Sequence, residues 1–227
     1  MKKINLGVLV SGNGSNLQSI IDHIERSELD ADIKIVISNN ASAFALERAK
    51  KNHIPFIVIE HAEFPDRDQF DQKMVDILRF HSVDLVILAG FMRIISPFFL
   101  RAYPQRILNI HPALLPAFPG LHGQKKALDY GVKFSGCTVH FVDEGMDTGP
   151  IIIQAVVPVY EGDTEDSLSQ RILREEHRIY PLAIQLYAED RLTIIGRKVQ
   201  IRCAFESKEI SLHNPPITDI NHLKESF

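Results

Sequence analysis

Asn109 and His111 stand two residues apart in the run Asn109-Ile110-His111-Pro112-Ala113-Leu114-Leu115-Pro116. The apolar stretch Ile107–Ile110 reads as a short strand, and a two-residue spacing there puts both side chains on one face. Pro112 ends the strand and stiffens the chain just past the histidine. A carboxamide beside an imidazole suits acyl transfer. The amide NH2 donates to a carbonyl oxygen as it becomes an oxyanion, and a protonated imidazole does the same or delivers a proton. The imidazole must be oriented and charged when needed, which requires a carboxylate; such a partner favours the charged ring. Asp147, in the Gly-, Asp- and Pro-rich loop from Asp143 to Pro150, is the best candidate. A free amine is already a nucleophile, so an acyl acceptor of that kind needs no Ser or Cys. No Gly-x-Ser-x-Gly elbow occurs, and Cys137 has no local nucleophile signature. Taken singly, an Asn-x-His pair is more often turn or core structure, and a lone Asp in such a loop an Asx turn.

A second constellation, Ser11-Gly12-Asn13-Gly14-Ser15-Asn16, lies between a strand and a helix. Glycines let backbone N–H groups approach an anion, and the helix N-terminus adds partial positive charge. The plainer alternative is a tight turn that needs positive φ. A dinucleotide fingerprint would have a third Gly where Leu17 stands, and a P-loop would carry a Lys. What remains is a site for one phosphate, such as that of a sugar monophosphate.

The elements that position these residues follow from hydrophobic periodicity. Ile4–Val10, Ile33–Ser38, Phe56–Ile59, Val83–Ala89 and Ile107–Ile110 are short apolar, β-branched runs that read as buried strands. Between them, Leu17, Ile20, Ile21 and Ile24 recur at helical spacing, Ala43–Asn52 reads as a helix, and Arg67–Phe80 places Phe70, Met74, Ile77 and Leu78 on one face. Ser96-Pro97 is a helix start, with Ser as N-cap and Pro at the first position. This alternation implies parallel strands joined by right-handed crossovers. After Gly136, Cys137–Val142 and Ile151–Val157 read as neighbouring strands. Asp163-Thr164 caps a long helix to about Ala188, which Pro181 should kink or split. Leu192–Ile195 and Lys198–Ile201 form a hairpin. The expected fold is an α/β, doubly wound, Rossmann-like and mostly parallel sheet, with helices on both faces and antiparallel strands in the C-terminal half. Residues 1–205 make one domain, and 206–227 a polar tail.

Composition narrows the function classes. Of 227 residues, 45% are hydrophobic and 24% charged, which is ordinary for a soluble chain with a full core. Net charge is −4 and no Lys/Arg run interleaves with aromatics, so no nucleic-acid partner is expected. The longest uncharged stretch, Ile107 to Gln124, is cut by Pro112, Pro116 and Pro119, so no membrane helix is expected. Cys137 and Cys203 are far apart, as suits a reducing, cytoplasmic setting. Ten histidines show no His-Glu-x-x-His spacing, and His177 follows Glu176 without an i+4 partner, so no metal is expected. Arg93 after an apolar strand suits a sheet-edge cap, and Glu176 in an Arg- and Glu-rich helix a solvated face. Phe91, Phe98 and Phe99 read as core.

Seven segments together carry a family resemblance. They are Ser11–Asn16, Leu88–Ile94, Leu108–Pro116, Pro119–His122, Val139–Val142, Asp147–Pro150 and Glu176–Pro181. In order and approximate spacing, from residue 4 to about 195, the chain resembles the phosphoribosylglycinamide formyltransferases. The resemblance implies transfer of a formyl group from 10-formyltetrahydrofolate, a cosubstrate rather than a prosthetic group, to the amine of glycinamide ribonucleotide in purine synthesis. It implies catalytic roles for Asn109, His111 and Asp147, and a substrate-phosphate loop of Gly14, Ser15 and Asn16. It also implies substrate contacts at Gly90 and Glu176. Arg67, Met92, Arg93, Ile94 and Ile95 match the folate pocket, with Asn109 and the loop residues Asp143, Glu144, Gly145, Met146 and Asp147. Only small-molecule partners are implied, with a monomer or homodimer. Position 113 is Ala where the family usually has Ser, which touches fine positioning only. Three other readings compete. A formyltetrahydrofolate hydrolase needs the same trio, but not the phosphate loop or Glu176. A methionyl-tRNA formyltransferase would need a tRNA-facing basic surface. A nucleotide-binding sensor would leave Asn109, His111 and Asp147 unexplained.

Overall fold

The computed structural model describes residues 3–202 and Leu212; most of the tail from Glu206, and Cys203, lie outside the described residues. Strands β1 (Ile4–Val10), β2 (Ala31–Ser38), β3 (Phe56–Val58), β4 (Leu85–Leu88) and β5 (Ile107–His111) alternate with helices α1 (Ser15–Glu25), α2 (Phe44–Lys51), α3 (Arg67–Phe80) and α4 (Pro97–Ala102). Helix α5 (Gly123–Tyr130), strands β6 (Phe134–Phe141) and β7 (Ile151–Pro158), helix α6 (Glu165–Ala188) and the hairpin β8 (Leu192–Ile195) and β9 (Lys198–Ile201) follow. The nine strands share one sheet in the order β3-β2-β1-β4-β5-β6-β7-β9-β8. β1 pairs parallel with β2 and β4, β2 with β3, and β4 with β5. β6 is antiparallel to both β5 and β7, and β8 to β9. The chain therefore winds outward from β1 to β3, then reverses between β1 and β4. That reversal opens a crevice at the C-terminal ends of these strands.

The sheet separates two apolar clusters, and β1 feeds both. Leu6, Val8 and Val10 join Leu17 and Ile20 of α1 and Tyr180 and Ile184 of α6. Leu9 joins Phe70 and Met74 of α3 and Phe99 of α4. Strict alternation along one strand, with helices on each side, is the doubly wound arrangement expected from the sequence. Each fully buried aliphatic or Phe side chain here is worth roughly 1.5–3 kcal/mol relative to exposure. Phe99 belongs to the core, with Phe91 and Phe98 partly buried against it.

Three details differ from the sequence expectation. Helix α6 is not split: it runs as one helix through Pro181. The proline cannot bond the carbonyl four residues back, at His177, and that oxygen instead accepts the Ser19 hydroxyl of α1 at 2.9 Å. Strand β6 begins at Phe134, not Cys137, because Gly136 permits a close strand approach: a Cβ there would lie 1.9 Å from Ala155 O. Helix α5 was not anticipated. It is eight residues long, with Ala127 its main apolar anchor, and ends on Gly131 at φ 78°.

Candidate active site

The loop after β1 is shaped by helix α2. Gly14 is the N-cap of α1 at φ 73° and supplies no capping side chain. A Cβ on it would sit 2.5 Å from Ala45 Cβ. Ala45 N–H donates to Gly12 O at 3.1 Å, while Arg48 donates from Nε to Asn13 O at 2.9 Å and from Nη2 to Asn13 Oδ1 at 3.0 Å. The loop is thus held from behind, and Ser15 and Asn16 present the first N–H groups of α1, which have no intrahelical acceptor. N–H groups so presented at a helix start can receive an anion.

Asn16 extends it toward α6. Its Nδ2 donates to Glu176 Oε2 at 2.7 Å. Glu176 is only 7% exposed, so the solvated-face reading fails. Burial pushes its carboxyl up from the usual range, and the Asn16 bond pulls it partly back. Asn16 Oδ1 is buried and, among the described residues, has no hydrogen-bond partner. A carboxylate and a spare acceptor side by side invite a donor such as an amine. Cys137 lies close by, and burial, followed by the Glu176 charge, raises its thiol far out of the nucleophilic range.

At the end of β5 the sequence-assigned trio converges on one carboxylate. Asp147 Oδ2 lies 3.3 Å from His111 Nδ1 and accepts Gly120 N–H at 2.7 Å. Its Oδ1 is 3.4 Å from Asn109 Nδ2. Asp147 holds φ 55°, in the left-handed region that Asp tolerates better than most residues. His111 is 4% exposed, and its Nε2 donates to Phe118 O at 2.9 Å. Both ring nitrogens thus face oxygen acceptors, an arrangement that a doubly protonated imidazole satisfies.

A fourth residue completes the group. His140, on β6, is the register partner of Asn109. Its Nδ1 donates to Phe141 O at 2.8 Å, which leaves Nε2 as an acceptor facing Asn109 Nδ2 at 3.2 Å. Burial pushes this imidazole toward its neutral form, outweighing the nearby Asp147 charge. The 3.7 Å approach of His140 Nε2 to Asp147 Oδ1 is therefore no ion pair: the Asn109 NH2 sits between two acceptors.

The remaining assigned residues lie on three segments: the loop after β4, the start of α3 and the loop before β7. Gly90 (φ 73°), Met92, Arg93 and Ile94 are exposed on the loop after β4, while Ile95 is buried in the core. Arg67 opens α3 behind its N-cap Asp66, and one turn on, buried Asp71 accepts Ser96 N–H at 2.7 Å. This ties α3 to the end of the Gly90–Ile95 segment. In the other loop, Asp143 Oδ1 accepts Thr148 Oγ1 at 2.6 Å and Gly145 N–H at 3.2 Å, leaving Glu144 and Met146 outward.

The formyl transferase family matches residues 4–184. The phosphoribosylglycinamide formyltransferase of Escherichia coli (strain K12) is 46% identical over 189 residues, 83% of this chain and 89% of that protein. This chain belongs to the formyl transferase family. A crystal structure of glycinamide ribonucleotide transformylase 1 from Symbiobacterium toebii superposes with a TM-score of 0.87 at 52% identity, over 88% of this chain and 94% of that one. The trifunctional purine biosynthetic protein adenosine-3 of Drosophila pseudoobscura pseudoobscura is 51% identical over 82% of this chain. The chain spans 14% of that protein's length.

Sequence reasoning missed His140 and Arg48. His140 had a signal: a polar ring inside the otherwise apolar Val139–Val142 run. Arg48 had none, because it acts across 35 residues on a loop whose own sequence explains itself.

Proposed function

We propose that this chain transfers the formyl group of 10-formyltetrahydrofolate to the amine of 5'-phosphoribosylglycinamide, giving formylglycinamide ribonucleotide and tetrahydrofolate in purine biosynthesis. The observation that carries this reading is the convergence of Asn109, His111 and Asp147 on the same sheet edge as a loop built for one phosphate. The substrate phosphate rests on the N–H groups of Gly14, Ser15 and Asn16. Its amine end meets the Glu176 carboxylate and the spare Asn16 Oδ1. Gly90 meets the ribonucleotide, and the folate lies along Met92–Ile95, with Arg67 and the Asp143–Asp147 loop at its flanks. In a cleft that holds both substrates, proximity supplies much of the acceleration.

The amine nitrogen attacks the formyl carbon, forming the new C–N bond and a tetrahedral oxyanion. Asn109 donates to that oxygen. Its two contacts, at 3.4 Å to Asp147 and 3.2 Å to His140, are long, so a full negative charge readily outcompetes them. His111, held by Asp147, supplies positive charge and a transferable proton. Collapse of the intermediate breaks the bond to folate N10, which takes up one proton as the amine loses one, directly or through water ordered by Asp147. Cys137, whose thiol burial pushes up, supplies no nucleophile to these steps.

The test follows folate deformylation with and without glycinamide ribonucleotide. Strict dependence on the amine supports the transferase. Deformylation at the same rate without it makes the chain a hydrolase and overturns the proposal. Ligand binding without any turnover makes it a sensor and does the same.

A further inference from the structure

Ser11 closes β1 and opens the phosphate loop, yet its polar groups reach toward other segments. Its N–H donates to Gly90 O at 3.1 Å. Its hydroxyl accepts Met92 N–H at 2.8 Å and spends its only proton on Asn39 Oδ1 at 2.6 Å. Its carbonyl accepts Asn40 Nδ2 at 3.3 Å. Because the proton is committed to Asn39, a lone pair is left aimed at Met92 N–H. The hydroxyl is therefore oriented, not free to rotate.

Beyond the packing of Phe91 and Ile95 at the core, the segment it holds has little to define it. Gly90 to Ile95 forms neither helix nor strand, and Met92 and Ile94 are 64% and 53% exposed, so packing does not fix their backbone. The flanks are anchored, by Ala89 N–H on Leu9 O at 2.9 Å and by Ser96 N–H on Asp71. Between those anchors, the hydrogen bonds among the described residues are the two made with Ser11. The location matters too. Ser11 stands where the strand order reverses between β1 and β4, so one residue touches both walls of the crevice.

We infer that Ser11 is a positioning residue for the folate side of the cleft: its hydroxyl sets the path of Gly90–Ile95, so the folate pocket takes its shape from a residue of the phosphate loop. The inference rests on the proposed function, which assigns Met92–Ile95 to folate. It separates Ser11 from its neighbours Ser15 and Asn16, whose loss should act on the phosphate side.

The experiment measures binding of two probes, tetrahydrofolate and ribose 5-phosphate, to wild type, Ser11→Ala and Ser11→Thr, with thermal melts of each protein. Removing one backbone-to-hydroxyl bond should weaken tetrahydrofolate binding by about three- to tenfold. Ribose 5-phosphate affinity should stay within twofold of wild type, and Ser11→Thr should recover most of the folate affinity. Asn39→Ala, which removes the acceptor that orients the hydroxyl, should shift the same affinity in the same direction by a smaller factor. The inference is overturned if Ser11→Ala leaves folate affinity intact, weakens only the sugar phosphate, or weakens both equally. A wild-type protein that binds neither probe overturns the proposed function, and the role of Ser11 with it.

Discussion

Replacing Asp147 by Asn tests the centre of the site, because one carboxylate organises three partners. An amide keeps a single acceptor oxygen. Gly120 N–H, at 2.7 Å the shortest contact, should retain it. The amide NH2 then occupies the other position, donor against donor with Asn109 Nδ2 at 3.4 Å. The charge facing His111 Nδ1 at 3.3 Å is lost as well. The loss of that charge contact is on the order of 1 kcal/mol. Full displacement of an oxyanion donor costs about 2.7–4 kcal/mol more, and partial displacement a share of that. A combined loss of about 2–4 kcal/mol predicts a kcat lower by roughly 30- to 1,000-fold. The assay is the absorbance change of folate at saturating concentrations of both substrates, run across pH, with thermal melts to confirm the fold. Because Asp147 acts partly through Asn109, the double variant with Asn109→Ala should lose less than the product of the two single losses. A kcat within threefold of wild type and an unchanged pH–rate profile would refute the arrangement.

Other substitutions probe the surrounding parts. Asn109→Ala should lower kcat by about 10²- to 10³-fold with little change in either KM, the loss of one oxyanion donor; steady-state kinetics decide it. Gly14→Ala forces a Cβ to within 2.5 Å of Ala45 at φ 73°, so it should lower thermal stability and raise the KM for glycinamide ribonucleotide while sparing the folate KM. Glu176→Gln should act on stability in a pH-dependent way. Burial raises the Glu176 carboxyl above its ordinary 4.5, so the native state holds this proton to higher pH than the unfolded chain does. Its contribution to stability is complete below that ordinary value and is lost as pH rises through the folded value. Melting curves should therefore show Glu176→Gln above wild type at pH 8, with the gap closing toward pH 4.5, while its KM for the ribonucleotide rises. A gap that widens in acid would reverse the assignment.

What was legible in the sequence was local. Asn109 and His111 are close in the chain, and a strand's two-residue period alone puts them on one face. Gly14 announces its left-handed turn, and Ser96-Pro97 its helix start, because caps and turns are written in adjacent residues. What was not legible depends on pairing across distance. His140 meets Asn109 only because β6 returns antiparallel in a register that sets those two opposite each other. Pro181 reads as a helix breaker until a serine from another helix takes up the carbonyl it leaves free. Glu176 reads as surface until the packing of α6 against α1 buries it. Helix α5 escaped because eight residues with one strong apolar anchor carry too short a stripe to show a period.

His140 also explains why the amide of Asn109 presents the right end. A carboxamide has nearly identical oxygen and nitrogen ends, and only its neighbours decide which faces the reaction. Asp147 alone would attract the NH2, but a protonated His140 would attract the oxygen, and the two would compete. Burial removes that conflict by keeping His140 neutral, and the Phe141 carbonyl claims its Nδ1 proton. Nε2 is then an acceptor, and both neighbours of Asn109 call for the same end. The Asn109 NH2 is thus fixed in place by a neutral histidine and a carboxylate together.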